Sequence, residues 1–475
     1  MRTIFSSRVV PFFFGLAFSC AACDGSKGNP AAVCPEGNEI RASCAGVPVE
    51  PVCPEEACAS AVDCSDTLSV KDDASLASAI SGAAPGACVV LAPGSYGAVA
   101  LPAGVSLLGR SADLVTVEGV TVGGGASVVR GLTAGSAGIA VESATGARIE
   151  AVRVTGASGR GIDIAAGASL TIVDTTVEAG ATDGIVIADG ATVTIERTLI
   201  EDNAGPGLWV ACSTDCDCAD KPDVVVRSSI IRDNHVGGVV LFGAKADLEA
   251  VDVSGTLVGD DIAFGLGGGG ISAAACSSLG ARDLQVFENE SYGLLIDASD
   301  ALVGDPTGEP SVEIAQNTVG VWAQHISEPG PQTVTLDGLE IRDNKGVGLG
   351  VSGETVGLIV CRSSVHDTTG AGLLVEGGAS QQVGDGLLWL DGSEITIDGL
   401  ALSGNPRSSI LIDGEAQGSL TNITLEGGDE EKGILQQGYS GGAQPTIGAN
   451  SPAISVTSDS PLQIPVPPAG VPRNL

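Results

Sequence analysis

The glycines at 138, 161, 184 and 207 stand at a constant step of 23 residues, and each opens the same phrase. The phrase is Gly-apolar-x-apolar, as in "GIDI", "GIVI" and "GLWV", and it is followed by further short apolar runs such as "TVTI" and "TLI". A unit this short cannot bury its apolar side alone. Stacked on neighbours like itself it can, because each unit completes the core of the next. Beyond 207 the opening position recurs, with insertions, at Gly238, Gly270, Gly293, Gly320, Gly348 and Gly372, then as Ser409 and Gly433. The runs are rich in Val and Ile and contain no stretch of helical period, so they predict strands, three to a coil. A leucine-rich repeat has a similar length but needs a leucine-dominated pattern. The expectation is an all-β solenoid with coils spaced by roughly 4.8 Å.

Strand alternation sorts each phrase. The first and third residues after the glycine (Ile185 and Ile187, Leu208 and Val210, Leu294 and Ile296) point inward, and the second and fourth point outward. An Asn column accompanies the repeat at Asn203, Asn234, Asn289, Asn317, Asn344 and Asn405. Asn tolerates the left-handed backbone of a sharp turn, and stacked amides can bond along the column, so this column is read as structural. The neighbouring acids Asp202, Asp233, Glu288, Asp343 and Asp367 are read as solvated turn residues, since Arg232 and Arg342 are interleaved beside them.

The segments before the repeat carry other signals. Residues 1–19 hold Arg2, Arg8 and an apolar run from Val9 to Phe18, the pattern of a secretory signal. The cysteines that follow resemble a bacterial lipoprotein lipobox, with Cys20 or Cys23 as the lipidated residue. That resemblance implies an exported, membrane-anchored lipoprotein on the outer membrane or surface of a Gram-negative bacterium. If Cys20 carries the lipid, twelve of the thirteen cysteines remain and can all pair; if Cys23 does, eleven remain and one is left over. Residues 20–65 form a Cys-rich spacer, and residues 66–96 a cap. Within the cap, "DDASLASAISGAAPG" predicts a helix with Asp72 or Asp73 as N-cap and an apolar face of Leu76, Ala79 and Ile80, and a strand starts at Val89. Short helix, "PGACVVLAPGSYGAVALPAGVSLLG", then repeats: this order resembles the opening of the pectin-lyase-like right-handed parallel β-helix proteins. The resemblance covers roughly residues 72 to 460. It implies a right-handed parallel β-helix over 97–460 with a helix plugging its open end, ahead of a Pro-rich tail, 461–475. It also implies a substrate cleft on one sheet between long loops.

Function is less legible. With 58 acidic against 22 basic residues the chain repels phosphate polymers, which excludes nucleic acid and weighs against acidic polysaccharides. On the outward columns, Trp209, Val240, Leu295 and Trp322 make an unusually apolar face, with Asp297, Gln324 and Glu376 as its polar contacts. Insertions at 212–223, 298–310, 324–332 and 377–394 leave one end of that strand, and 254–270 enters the other, so loops rim a groove. The other reading of these loops is that they keep an apolar sheet dry.

Chemistry is sparse. Asp260-Asp261 resembles the paired acids of polygalacturonases, but the accompanying Gly-His-Gly and Arg-x-Lys motifs are missing. His235, His325 and His366 stand on separate coils, and the outward columns supply no Arg or Lys. Asp215, Asp217 and Asp220 could hold calcium, but Cys212, Cys216 and Cys218 among them argue first for a disulfide-braced loop. The expectation is a monomeric, non-catalytic lipoprotein without cofactor that presents its surface to a neutral polysaccharide or an envelope protein. The alternative is a polysaccharide hydrolase or lyase of the same fold.

Overall fold

The structure is a computed structural model. It describes residues 62–213, 220–258, 267–305, 311–325, 332–353, 356–374, 380–390, 392–439, 441, 444–456, 462 and 464–465. Strands fall on the expected runs, and with one exception every strand pairing in it is parallel. Pairing is continuous from Asp66–Val70, which lies against Ala87–Leu91, to Ile454–Val456, which lies against Ile434–Gln437. The sheet thus starts well ahead of residue 97. Each coil repeats the last because the register is in phase with the sequence: Ile162 pairs with Ile185, Ile185 with Leu208 and Leu208 with Val239. The inward stack from Ile139 through Leu294 to Ile434 is sealed from water in a single continuous core. This is the burial that one coil could not achieve alone.

From Gly161 to Gly348 the repeated glycine answers to close packing, whereas Gly138 and Gly433 have φ of 62 and 64°. A Cβ at Gly184 would lie 2.6 Å from the Gly207 carbonyl oxygen and 2.7 Å from Ile200 Cγ2. One expected opener is corrected. Gly372 lies in Ala371–Leu374, which forms the single antiparallel pairing with Ser380–Val383, outside the solenoid. The coil that follows Val347–Ser352 opens instead at Gly386, with Gly350 beside Leu388 and not Leu374.

The Asn column stacks as expected. Asn203 Nδ2 donates to Asn234 Oδ1 at 2.8 Å, Asn289 to Asn317 at 2.9 Å and Asn317 to Asn344 at 3.2 Å. Two coils lack the amide: Thr256 and Thr368 stand in the column, and neither buried hydroxyl has a hydrogen-bond partner. At the far end, Asn405 Nδ2 donates to Asp429 at 2.7 Å, and Lys432 holds the same carboxylate at 2.9 Å. The left-handed residue is not the Asn, as the sequence suggested, but the one before it: Asp202, Asp233, Glu288 and Asp343 all have φ of 54 to 57°. The Asn is recruited for its amide, and the turn is made by its neighbour.

Helix α1, Asp73–Gly82, closes the N-terminal end. Asp72 is its N-cap, accepting from the Ser75 N–H, and Leu76 is buried with Ala79 and Ile80 packed on the core. A disulfide joins Cys64 to Cys88 across this cap. Cys212 and Cys276 are also disulfide-bonded, whereas Cys361 is a free, half-buried thiol. That free thiol overturns the expectation that every cysteine left after lipidation at Cys20 is paired.

Candidate functional face

The second and fourth outward columns form the face singled out by the sequence. Register places Asp163, Val186, Trp209, Val240, Ser272, Leu295, Trp322 and Gly350 side by side on successive coils. The fourth column runs Ala165, Ala188, Ala211, Phe242, Ala274, Asp297, Gln324 and Ser352. The residues are brought together as expected. Their accessibility is not.

From Tyr292 onward the face is a second core. Leu295 and Trp322 are 0% and 1% exposed, and they pack with Tyr292, Val347, Val383, Leu388 and Leu411. The Trp322 ring lies over the next coil, where a Cβ at Gly350 would meet it at 2.2 Å, and its indole N–H donates to Ser352 Oγ at 3.2 Å. This is why the column carries glycine there. The Ala371–Leu374 and Ser380–Val383 hairpin brings Leu373 and Val383 onto this cluster, and the tail adds Leu462 and Ile464. Tyr292 bonds Ser272 through its hydroxyl at 2.7 Å, and burial pushes its pKa up to about 12. Asp297 and Gln324 are fully buried in the fourth column, and neither polar atom of the Gln324 amide has a partner. The open polar contacts expected there are corrected to buried ones. Glu376 lies outside the described residues, as do Asp215, Asp217, Asp260, Asp261, Cys20 and Cys23.

Trp209 and Val240 form a separate small cluster with Val186, at 8% and 4% exposure. Next to it the face is open. Ala165, Ala188 and Ala211 are half-buried and follow one another on adjacent coils, a flat strip about 10 Å long at the usual strand spacing. At its rim Arg160 donates to Asp163 at 3.0 Å and lies 3.7 Å from Asp183. Burial raises the Asp183 carboxyl above its usual range, with Arg160 opposing. The strand columns hid Arg160 because it sits in the turn just ahead of Gly161. A cation one residue before an opening glycine is the signal that would have found it, and Lys432 before Gly433 is another instance, bonded to the buried Asp429.

Several other arginines are likewise engaged by acids: Arg153 with Glu178 and Arg232 with Glu201 at 2.6 Å, Arg197 with Asp174 at 2.7 Å. His366 lies between Glu340 and Asp367 at 3.2 and 3.1 Å on a corner, His235 at another coil edge, and His325 against Gly353. No group of three or more His, Cys, Asp or Glu among the described residues is placed to hold a metal ion.

The family model for the right-handed β-helix region matches residues 103–301. The fold is that of a right-handed parallel β-helix. Among solved structures, this β-helix is similar to a pectate lyase at 13% identity, with a TM-score of 0.38 over 62% of this chain and 79% of that one. It is also similar to the A-module of a mannuronan C-5 epimerase from Azotobacter vinelandii, at 15% identity and TM-score 0.37 over 81% and 93%. The catalytic unit of a thermostable α-1,3-glucanase from Streptomyces thermodiastaticus is a third, at 12% and 0.43 over 81% and 69%. At such identities the likeness is one of fold alone. No curated protein matches the sequence.

Proposed function

We propose that this β-helix is a non-catalytic cell-envelope lipoprotein that offers the open face around Trp209 to a neutral glycan, or to a basic surface of an envelope protein. The observation that carries the reading is the flat Ala165–Ala188–Ala211 strip beside Trp209 with Asp163 at its rim. The alkyl surface of the strip, backed by the buried Trp209, suits the apolar face of a sugar ring, and a rim carboxylate suits its hydroxyls. The cation beside the strip is already neutralised by two acids, so a uronate carboxylate finds no free partner there. In this reading Leu295, Asp297, Trp322 and Gln324 support the face from within rather than touch the ligand.

The anchor follows from cysteine parity. A chain starting at a lipidated Cys23, with Cys361 free, leaves ten cysteines, an even set; starting at Cys20 it leaves eleven. We therefore place the lipid on Cys23, and the protein on the outer membrane or cell surface.

A second reading rests on one specific observation. Asp183, its carboxyl pushed up by burial, shares Arg160 with the more exposed Asp163, and a raised carboxyl beside a second carboxyl is the pairing from which a glycoside hydrolase draws its general acid. One experiment separates the two. The mature protein is screened on a neutral glycan panel for retention and for release of reducing ends, beside the Ala188→Trp and Asp183→Asn variants. Retention without release, lost in A188W, supports binding. Release that D183N abolishes replaces it with hydrolysis, and no retention on any glycan removes the sugar reading.

A further inference from the structure

The described part of the C-terminal tail crosses the outward face of the last coils. Leu462 and Ile464, two residues apart as side chains on one side of an extended chain must be, both pack on the second core with Leu390, Leu411 and Leu435. Between them and the solenoid stands Gln437, 1% exposed. Its Oε1 accepts the Leu462 N–H at 2.7 Å, and its Nε2 donates to the Leu462 carbonyl at 2.7 Å. Nε2 also donates to Asp413 Oδ1 at 2.9 Å, one coil back, which fixes which end of the amide meets which backbone group. Both contacts to the tail are with main-chain atoms. The clamp therefore reads backbone, and selection falls to the two aliphatic seats.

We infer that this groove is a dock for an extended peptide carrying aliphatic side chains at i and i+2, and that Leu462 and Ile464 occupy it in cis as a displaceable stand-in. Charge says which peptide fits better. Asp413, Glu415 and Glu426 are partly or fully exposed around the groove, in a chain with 58 acidic and 22 basic residues. Between Thr457 and Leu475 the chain's own tail has one basic residue, Arg473. A partner segment with the same Leu-x-Ile spacing and flanking lysines keeps both hydrogen bonds and adds attraction to the acidic rim. A second copy of this chain would bring the same acids and meet repulsion. The partner is thus a basic envelope protein with a strand-like aliphatic segment. The dock lies several coils away from the Trp209 face and stands or falls separately from it.

The test uses full-length protein and a labelled peptide of residues 460–466 flanked by lysines, read by fluorescence anisotropy. In Leu462→Asp/Ile464→Asp the seats are emptied, and the peptide should bind at least tenfold tighter than to wild type. Affinity should fall with salt and vanish when Gln437→Ala is added. A control peptide with its aliphatics moved to adjacent positions should not bind. Should the aspartates prevent folding, Leu462→Ala/Ile464→Ala serves, and failure of both to fold would make the tail a structural strap and overturn the proposal. Equal affinity for wild type and emptied variant, no affinity for either, or binding that survives Q437A also overturns it. Dimerisation of the emptied variant in sedimentation would make a second copy the occupant, and the basic partner would be wrong.

Discussion

Replacing Asn317 with Ala tests whether the Asn column holds the coils together. The side chain is fully buried. Its Oδ1 accepts the Asn289 N–H at 3.1 Å and the Asn289 Nδ2 at 2.9 Å. Its Nδ2 donates to Ala315 O at 2.9 Å, Val286 O at 3.2 Å and Asn344 Oδ1 at 3.2 Å. Asn344 Oδ1 keeps the Asn317 N–H at 3.0 Å after truncation, so it is not orphaned. The Asn289 N–H is left facing an alkyl group where water cannot reach, and the Asn289 Nδ2 keeps only a 3.4 Å bond to the Val253 carbonyl. At roughly 1–3 kcal/mol for a buried group left unsatisfied, N317A should cost about 3 kcal/mol. The exposed Gln417→Ala, which breaks no such bond, should stay within about 0.5 kcal/mol. Because a solenoid's stability is a sum over neighbouring coils, the loss should surface as an earlier phase rather than as a shift of the whole curve. Urea unfolding followed by far-UV circular dichroism and by the fluorescence of Trp322 and Trp389 reads it. A cost under about 1 kcal/mol would refute the reasoning, since the orphaned donor would then have found another partner.

Two further outcomes are expected. Tyr292 should stay protonated until about pH 12: its folded pKa is raised above the unfolded value of 10.0, so its contribution is intact below pH 10 and is lost as the pH climbs through 12. Two units correspond to about 3 kcal/mol at pH 12, and Tyr292→Phe should remove that part of the alkaline loss. Tyrosinate absorbance that develops in full near pH 10 would contradict the burial of this hydroxyl. Cys23→Ser should release the protein from membranes while Cys20→Ser leaves it bound, and the wild-type chain, denatured without reductant, should titrate one thiol. Retention of C23S on membranes, or release of C20S, would overturn the parity argument.

The solenoid was legible because its signal is local and repeated. Inward positions such as Ile185 and Leu208 recur in phase, and a pairing slip of one residue would turn every one of them to solvent. Where the phase was lost, the reason is visible. "GLL" occurs at Gly372 and again at Gly386, and only stacking on Gly348 selects the second, whose carbonyl lies 2.8 Å from where a Gly348 Cβ would sit. The character of the outward face was half legible. Alternation places Leu295 and Trp322 outside the barrel of coils, but whether an outside residue meets water depends on what returns to cover it. Here the cover is a hairpin some fifty residues further along and a tail at the end of the chain. The acid pair at Arg160 escaped notice because a turn residue belongs to neither strand column.

The two threonines in the Asn column have a mechanical consequence. A protein held by its N-terminus and loaded along its axis transmits force from coil to coil through parallel strand pairs and lateral side-chain stacks, of which this is one. At Thr256 and Thr368 the amide chain is broken, so the rod is built as blocks joined by softer seams. Under tension it should yield at those seams first and leave the Asn289–Asn317–Asn344 block whole. A coil of 23 residues that peels away frees about 80 Å of chain while the rod shortens by about 5 Å. Each rupture is therefore a long extension at nearly constant load, which would make the fold a shock absorber wherever the proposed tether and a ligand pull on its two ends.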